Sequence, residues 1–237
     1  MMIDRSEMVR RMKEMLSIEP KRAAIVAIDM HRGHLDPSVA TMPVPPEECR
    51  RVLVNAKRLF VVARKHKIPI IHVILKYREI PGLGTEAATN PFWTVIEKAK
   101  ETLTPGRPST VMRHNVEGSI QTEIMPEIAP QTGDYVISSK RRLSAFYGTD
   151  LDLLLRALKV DTTILIGINT NTCVLCTAFE AFNRDLKVIV VSDCVASMYG
   201  DDLHVFGLQN LSRCLGWVLD VTEFEGKLRE HKPLVAA

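Results

Sequence analysis

Three side chains of this sequence have the chemistry of a hydrolytic centre, and each falls at the end of an apolar run that reads as a β-strand: Asp29, Lys140 and Cys173. Asp29 directly follows Ala23–Ile28 (AAIVAI), a run without polar residues of the kind buried on both faces of a parallel sheet. Lys140 stands two residues beyond 134–138 (DYVIS), and Cys173 opens a helical pattern after 163–168 (TILIGI). A thiol at a helix start faces unpaired backbone N–H groups and the positive end of the dipole, which favours the thiolate and therefore nucleophilic attack. The run Gly167-Ile168-Asn169-Thr170-Asn171-Thr172 carries small and polar residues out of a buried strand, as a turn that presents Cys173 would. Desolvation raises the proton affinity of a carboxylate such as Asp29 and a neighbouring cation lowers it. Each residue has a plainer use: a helix cap or structural ion pair for Asp29, a solvated charged face for Lys140-Arg141-Arg142, and core packing for a free cysteine, the reading that suits Cys194 and Cys214. Their common position argues for a site, because open parallel sheets bind ligands beyond the carboxyl ends of their strands.

The elements that must position them alternate strand and helix, the pattern of βαβ units. A helix over Pro46–Lys65 carries Val52, Ala56, Leu59, Val62 and Ala63 on one face, and a second strand covers 68–74. Residues 76–131 are rich in Gly, Pro and Thr, with a helix only around 92–102; a segment that long suggests a lid or pocket wall. Beyond the 134–138 strand come a helix over 149–158 with four leucines at helical spacing, the 163–168 strand, a helix over 171–183, a strand over 187–191, a helix over 201–215, a strand over 217–221 and a terminal helix. The expected fold is α/β: a three-layer sandwich whose six-stranded parallel sheet is Rossmann-like, in the order 3-2-1-4-5-6, with right-handed crossovers placing helices on both faces. One domain over 1–237, with a helical extension over 1–20, accounts for the whole pattern.

Composition excludes several classes. The 237 residues are 46% hydrophobic and 25% charged, an ordinary globular balance that needs no staple. The formal charge of +3, from 31 Lys+Arg against 28 Asp+Glu, is spread along the chain, which argues against nucleic acid. No apolar run approaches the ~18 residues of a membrane span, and Met1–Met15 is studded with charge, so a cytoplasmic location and no membrane partner are expected. Five scattered cysteines do not form a disulfide framework.

Several motifs occur together in order: Asp29-Met30; Gly133-Asp134; Lys140-x-Arg142-x-Ser144-Ala145-Phe146-x-Gly148-Thr149; Gly167 to Val174; and Val191-Ser192-Asp193-Cys194-Val195-Ala196. Jointly they resemble the isochorismatase-like cysteine hydrolases, a superfamily that includes N-carbamoylsarcosine amidase, ureidoacrylate amidohydrolase, biuret hydrolase and nicotinamidase. The resemblance runs from about Ala23 to Leu228. It implies that Cys173 attacks an amide carbon to give a thioester, that Asp29 takes the thiol proton and returns it to the leaving amine, and that Lys140 holds the carboxylate ionised. It also implies an oxyanion hole from the backbone N–H groups of Asn169 and Cys173, the first aimed by a cis Ile168–Asn169 peptide. The implied substrate is a small linear amide, preferably a carbamoyl or ureide compound that loses ammonia, and the implied assembly is a homodimer or homotetramer.

Departures from the family pattern refine these expectations. Many members read Asp-Met-Gln where this chain has Asp29-Met30-His31, and His34 stands where an aromatic is usual. Nicotinamidases carry Asp-x-His after the second strand, whereas this chain reads Leu75-Lys76-Tyr77 there, which disfavours that type. Isochorismatases proper lack the cysteine. His34, Phe92, Arg142 and Tyr147 are the candidate substrate contacts, with Lys76, Arg78 and Arg113 as further cations within reach. The nucleophile, base and oxyanion site need neither metal nor organic cofactor; His31 and His34 with Asp36 would be the one plausible zinc set. Nicotinamidase-type or maleamate-type amidase chemistry remains as an alternative, as does a dithiol redox role for Cys173-x-x-Cys176. Hydrolysis further predicts that iodoacetamide labels Cys173 before any other thiol.

Overall fold

Strand β1 (Ala23–Ile28) alternates its side chains between two cores: Ala23, Ile25 and Ala27 enter one, Ala24, Val26 and Ile28 the other. A strand so placed can only lie inside a sheet covered on both sides. In the computed structural model, which describes residues 3–230, β1 has a neighbour on each edge: β2 (Ile70–Leu75) on one and β6 (Thr162–Ile168) on the other, both parallel and entirely buried. Beyond β2 lies β5 (Tyr135–Lys140), and beyond β6 lie β7 (Lys187–Ala196) and β8 (Trp217–Leu219), also parallel. The order is β5-β2-β1-β6-β7-β8. It differs in numbering from the expected 3-2-1-4-5-6 because a small hairpin, β3 (Glu79–Ile80) with β4 (Gly84–Thr85), intervenes in the chain and stays outside the main sheet. The expected single domain reaches at 1–2 and 231–237 beyond the described residues.

Helix α1 (Ser6–Met15) precedes β1 and rests on the last strand, where the Trp217 indole N–H donates to the Met12 carbonyl at 2.8 Å. Turn α2 (Arg32–Leu35) follows β1. Helix α3 (Pro46–Lys65) starts on Pro46, whose missing N–H costs nothing at a first turn, with Glu47 and Glu48 at its positive end and Arg64 and Lys65 at its negative end. It packs Val52, Ala56, Leu59, Phe60 and Ala63 on one face of the sheet beside Phe224 and Leu228 of α8 (Val221–Glu230). The other face is covered by α5 (Leu151–Ala157), α6 (Leu175–Phe182) and the turn 211–215 that extends α7 (Asp201–Asn210). Helix α4 (Pro91–Ala99), capped by the Asn90 side chain, is the one regular helix of 76–131. That segment is pinned across the carboxyl ends of β1 and β2 by a His31–Ile124 bridge, a Tyr77–Val116 bridge and the Met125 N–H on the Met30 carbonyl at 3.2 Å. It roofs the end of the sheet where Asp29, Lys140 and Cys173 emerge.

Candidate active site

Asp29 leaves β1 in the left-handed region, with φ of 54°, which turns its carboxylate back over the sheet. Its N–H donates to the Val73 carbonyl at 2.8 Å, and its Oδ1 accepts from the Leu75 N–H at 2.9 Å, so β2 holds the group at both ends. Lys140 is the last residue of β5, two residues further into the strand than its sequence pattern suggests, and a register shift between Val73 and Leu75 sets it opposite Leu75. From there Nζ donates to Asp29 Oδ2 at 2.5 Å and reaches Cys173 Sγ at 3.4 Å. Asp29 and Lys140 are 0% exposed and Cys173 3%, so three reactive groups from three chain segments share one dry volume.

Burial opposes the charge on Lys140, yet the carboxylate and thiol beside it outweigh burial and raise its pKa. The Cys173 thiol is pushed up to about 12 by burial; Lys140 pulls it down and Asp29 pushes it further up. The resting group is the thiol, which corrects the expectation of a thiolate stabilised at a helix start. Cys173 sits inside a wide π-helical turn, Thr170–Val174, that leads into α6. A helix-end field worth ~0.3–1 kcal/mol is less than one pKa unit and does not offset removal from water. Alkylation order therefore reverses as well. Iodoacetamide at neutral pH should modify exposed Cys214 first and buried Cys173 slowly, with the Cys173 rate still climbing above pH 9; peptide mapping against time measures this, and faster labelling of Cys173 at pH 7 would contradict a protonated thiol.

The loop that carries the thiol is tightly tied. Gly167, with φ of 116°, lies so close to β1 that a Cβ would come to 1.9 Å of the Ile28 carbonyl oxygen. The peptide Ile168–Asn169 is cis, as the resemblance implied. The Asn169 side chain accepts from the Met198 N–H at 2.9 Å, and its carbonyl accepts from the Thr172 and Val174 N–H groups at 3.2 and 3.0 Å. Thr177, fully buried, donates to the Cys173 carbonyl at 2.7 Å and accepts from the Ala145 N–H at 2.9 Å, clamping the 144–149 loop to the thiol turn. Thr177→Val strands that buried N–H and carbonyl and should lower stability by about 1–3 kcal/mol, read from the urea midpoint. An unchanged midpoint would mean the clamp is dispensable.

Beside this cluster opens a cavity of about 600 Å³, lined by Phe92 and Trp93 of α4, by Arg142, Ser144 and Tyr147, and by Tyr199, with Thr172 and Cys176 on either side of Cys173 in the chain. Phe92, Arg142 and Tyr147 are thus brought to one cavity, with Trp93 beside Phe92 as the adjacent aromatic pair in the sequence allows; Tyr199 and Glu180 are lining residues that the sequence did not single out, because they sit among apolar or solvent-patterned neighbours. Arg142 donates to the Thr89 hydroxyl at 3.0 Å, which holds it at the mouth. Arg78 is spent on Glu86, and Arg113 is exposed. Another cavity, about 470 Å³, lies between Met12, Phe182, Arg213 and Trp217 and contains none of the three reactive residues.

His34 does not line the 600 Å³ cavity; it belongs to a buried histidine cluster. His31 caps the α2 turn and His34 lies within it, so their rings stack at 5.2 Å, and His114, from the roofing segment, approaches His34 at 4.4 Å between ring centres. Asp36 does not join them: it pairs with Arg32 and accepts from Ser38, which corrects the His31, His34, Asp36 set. His72 packs edge-on against Phe60 from within β2. Burial holds the pKa of His31, His34 and His114 below the usual imidazole range. At the end of β2, Leu75 and, two residues on, Tyr77 are buried, and neither offers a carboxylate or imidazole.

Comparison with known proteins agrees with this architecture. Residues 23–223 match the model of the isochorismatase domain. An uncharacterised isochorismatase family protein of Bacillus subtilis, YwoC, is 31% identical over 214 residues, covering 90% of this chain and 97% of that one. Ureidoacrylate amidohydrolase RutB of Methylobacterium radiotolerans is 28% identical over 222 residues, covering 91% and 83%. Among solved structures, N-carbamoylsarcosine amidase from Thermoplasma acidophilum superposes with a TM-score of 0.63 at 28% identity, covering 84% of this chain and 96% of that one. With a family domain matched over residues 23–223, most of its length, this chain belongs to the isochorismatase family.

Proposed function

We propose that Cys173 of this amidohydrolase is the nucleophile that opens a small linear amide of the carbamoyl or ureide type, with Asp29 as proton carrier and Lys140 as its fixed counter-ion. The observation that supports it best is the contact of carboxylate, ammonium and thiol inside one buried volume at the ends of β1, β5 and β6. Because the thiol rests protonated, attack and deprotonation go together: Sγ bonds to the carbonyl carbon as its proton passes to Asp29. The Asn169 and Cys173 N–H groups hold the resulting oxyanion. Collapse breaks the C–N bond, and Asp29 gives its proton to the leaving nitrogen, which departs as ammonia. Water then attacks the thioester, passing a proton to Asp29, and as the C–S bond breaks Asp29 hands that proton to the departing sulfur, which restores both the thiol and the carboxylate. Lys140, kept charged through the cycle, keeps the carboxylate a base.

The carbamoyl or ureide preference rests on the relatives named for ureidoacrylate and N-carbamoylsarcosine and on a wall that combines aromatic rings with Arg142, suited to a flat polar substrate bearing an anionic end. Ammonia release from biuret, N-carbamoyl amino acids, ureidoacrylate, nicotinamide and simple amides, with Cys173→Ser as the blank, tests both parts. Turnover of a ureide that the variant lacks is expected. Equal turnover by the variant overturns the nucleophile, and turnover confined to nicotinamide overturns the substrate class.

A further inference from the structure

His31, His34 and His114 are an arrangement the thiol chemistry does not use. One ring nitrogen of each lies within 4.8 Å of the others', and all three rings are at most 2% exposed. The second nitrogens of His34 and His114 have the partners expected of ligands. His34 Nδ1 donates to the Met42 carbonyl at 2.8 Å, which leaves Nε2 with its lone pair, and His114 Nδ1 meets the Thr41 hydroxyl at 3.1 Å. Such outer contacts fix the tautomer and aim of metal-binding imidazoles. The Nε2 atoms of His31 and His114 both point at a single group, the Asn115 side-chain nitrogen, at 2.8 and 2.9 Å. That arrangement leaves two polar atoms buried without partners, Asn115 Oδ1 and His31 Nδ1. Gly33 makes room for the amide, since a Cβ there would come to 1.9 Å of Asn115 Oδ1.

We propose that His31, His34 and His114 form a binding site for one divalent transition-metal ion of the zinc type, with the Asn115 amide, turned over to present Oδ1, as the fourth ligand. Three imidazoles suit Zn²⁺ and its neighbours and do not suit Mg²⁺ or Ca²⁺, which demand oxygen. Tetrahedral Zn–N bonds of ~2.0–2.1 Å set ligand atoms about 3.4 Å apart, so the widest pair closes by somewhat over 1 Å. The site shares no ligand with the Asp29–Lys140–Cys173 cluster, although His31 is only two residues from Asp29; it draws two ligands from the turn after β1 and two from the roof, and ties the roof to the sheet. It replaces the metal-free expectation and does not depend on the thiol mechanism.

The test uses the full chain, stripped with a chelator and titrated with Zn²⁺ by calorimetry, with X-ray absorption on the loaded protein and visible spectra of the Co²⁺ form. One equivalent, a zinc shell of three imidazoles without sulfur, and intense tetrahedral cobalt bands are expected. Thr41→Val should weaken binding by ~10–100-fold as an outer contact, His114→Gln by more, and Cys173→Ser should leave it unchanged. Absence of stoichiometric binding, sulfur in the zinc shell, or wild-type affinity in His114→Gln overturns the site. The absorption measurement needs no variant, so a misfolded substitution does not obscure the outcome.

Discussion

Asp29→Asn should lower kcat by ~10²–10⁴-fold, the usual loss on removing a general base, with little change in KM. The amide keeps the shape and still accepts from the Leu75 N–H, but it cannot take the Cys173 proton. In the wild type the thiol is pushed up to about 12, chiefly by burial; Asp29→Asn removes a charge that raises it and leaves Lys140, which lowers it, so the variant's thiol ionises below that value while burial still opposes the thiolate. The loss should therefore be largest at low pH and shrink as pH rises and the thiol ionises without a base, whereas an Asp29 that merely shaped the pocket would give a deficit independent of pH and a larger change in KM. Steady-state rates at several pH values on a ureide substrate make the distinction. A variant with kcat within a few-fold of wild type at pH 7 would remove Asp29 from the mechanism.

Lys140→Met should cost about 3–5 kcal/mol of stability, the range for deleting one member of a buried ion pair, besides abolishing turnover. Both partners are 0% exposed, so the carboxylate left behind has no water to turn to. Joining Asp29→Asn to Lys140→Met removes the orphaned charge and should restore most of the lost stability, since an apolar replacement of a whole buried pair is often neutral. Activity should not return. Urea unfolding of the two single variants and the double variant measures the coupling. Lys140→Met as stable as wild type would show that the ammonium is not the partner that keeps Asp29 buried.

Apolar runs and their punctuation determined the frame of this protein. Ala23–Ile28, the uniformly buried β6 and the amphipathic Pro46–Lys65 helix are dictated locally, by residues that have nowhere to go but a core, and so the sheet, its parallel sense and its layers were legible. The same punctuation put Asp29, Lys140 and Cys173 at strand ends, where the α/β architecture collects them. What sequence could not determine depends on distance between remote segments. The ionisation of Cys173 was misread because the dipole of a turn is local and visible, whereas desolvation comes from the whole roof folding over it. Tyr199 and Glu180 became cavity walls only when remote segments met around the sheet end, and the partner of His31 and His34 proved to be His114, eighty residues on, not Asp36 close by. Strand ends can be found by hydrophobic pattern, but the dielectric and the third ligand are properties of a volume, and only the tertiary structure encloses one.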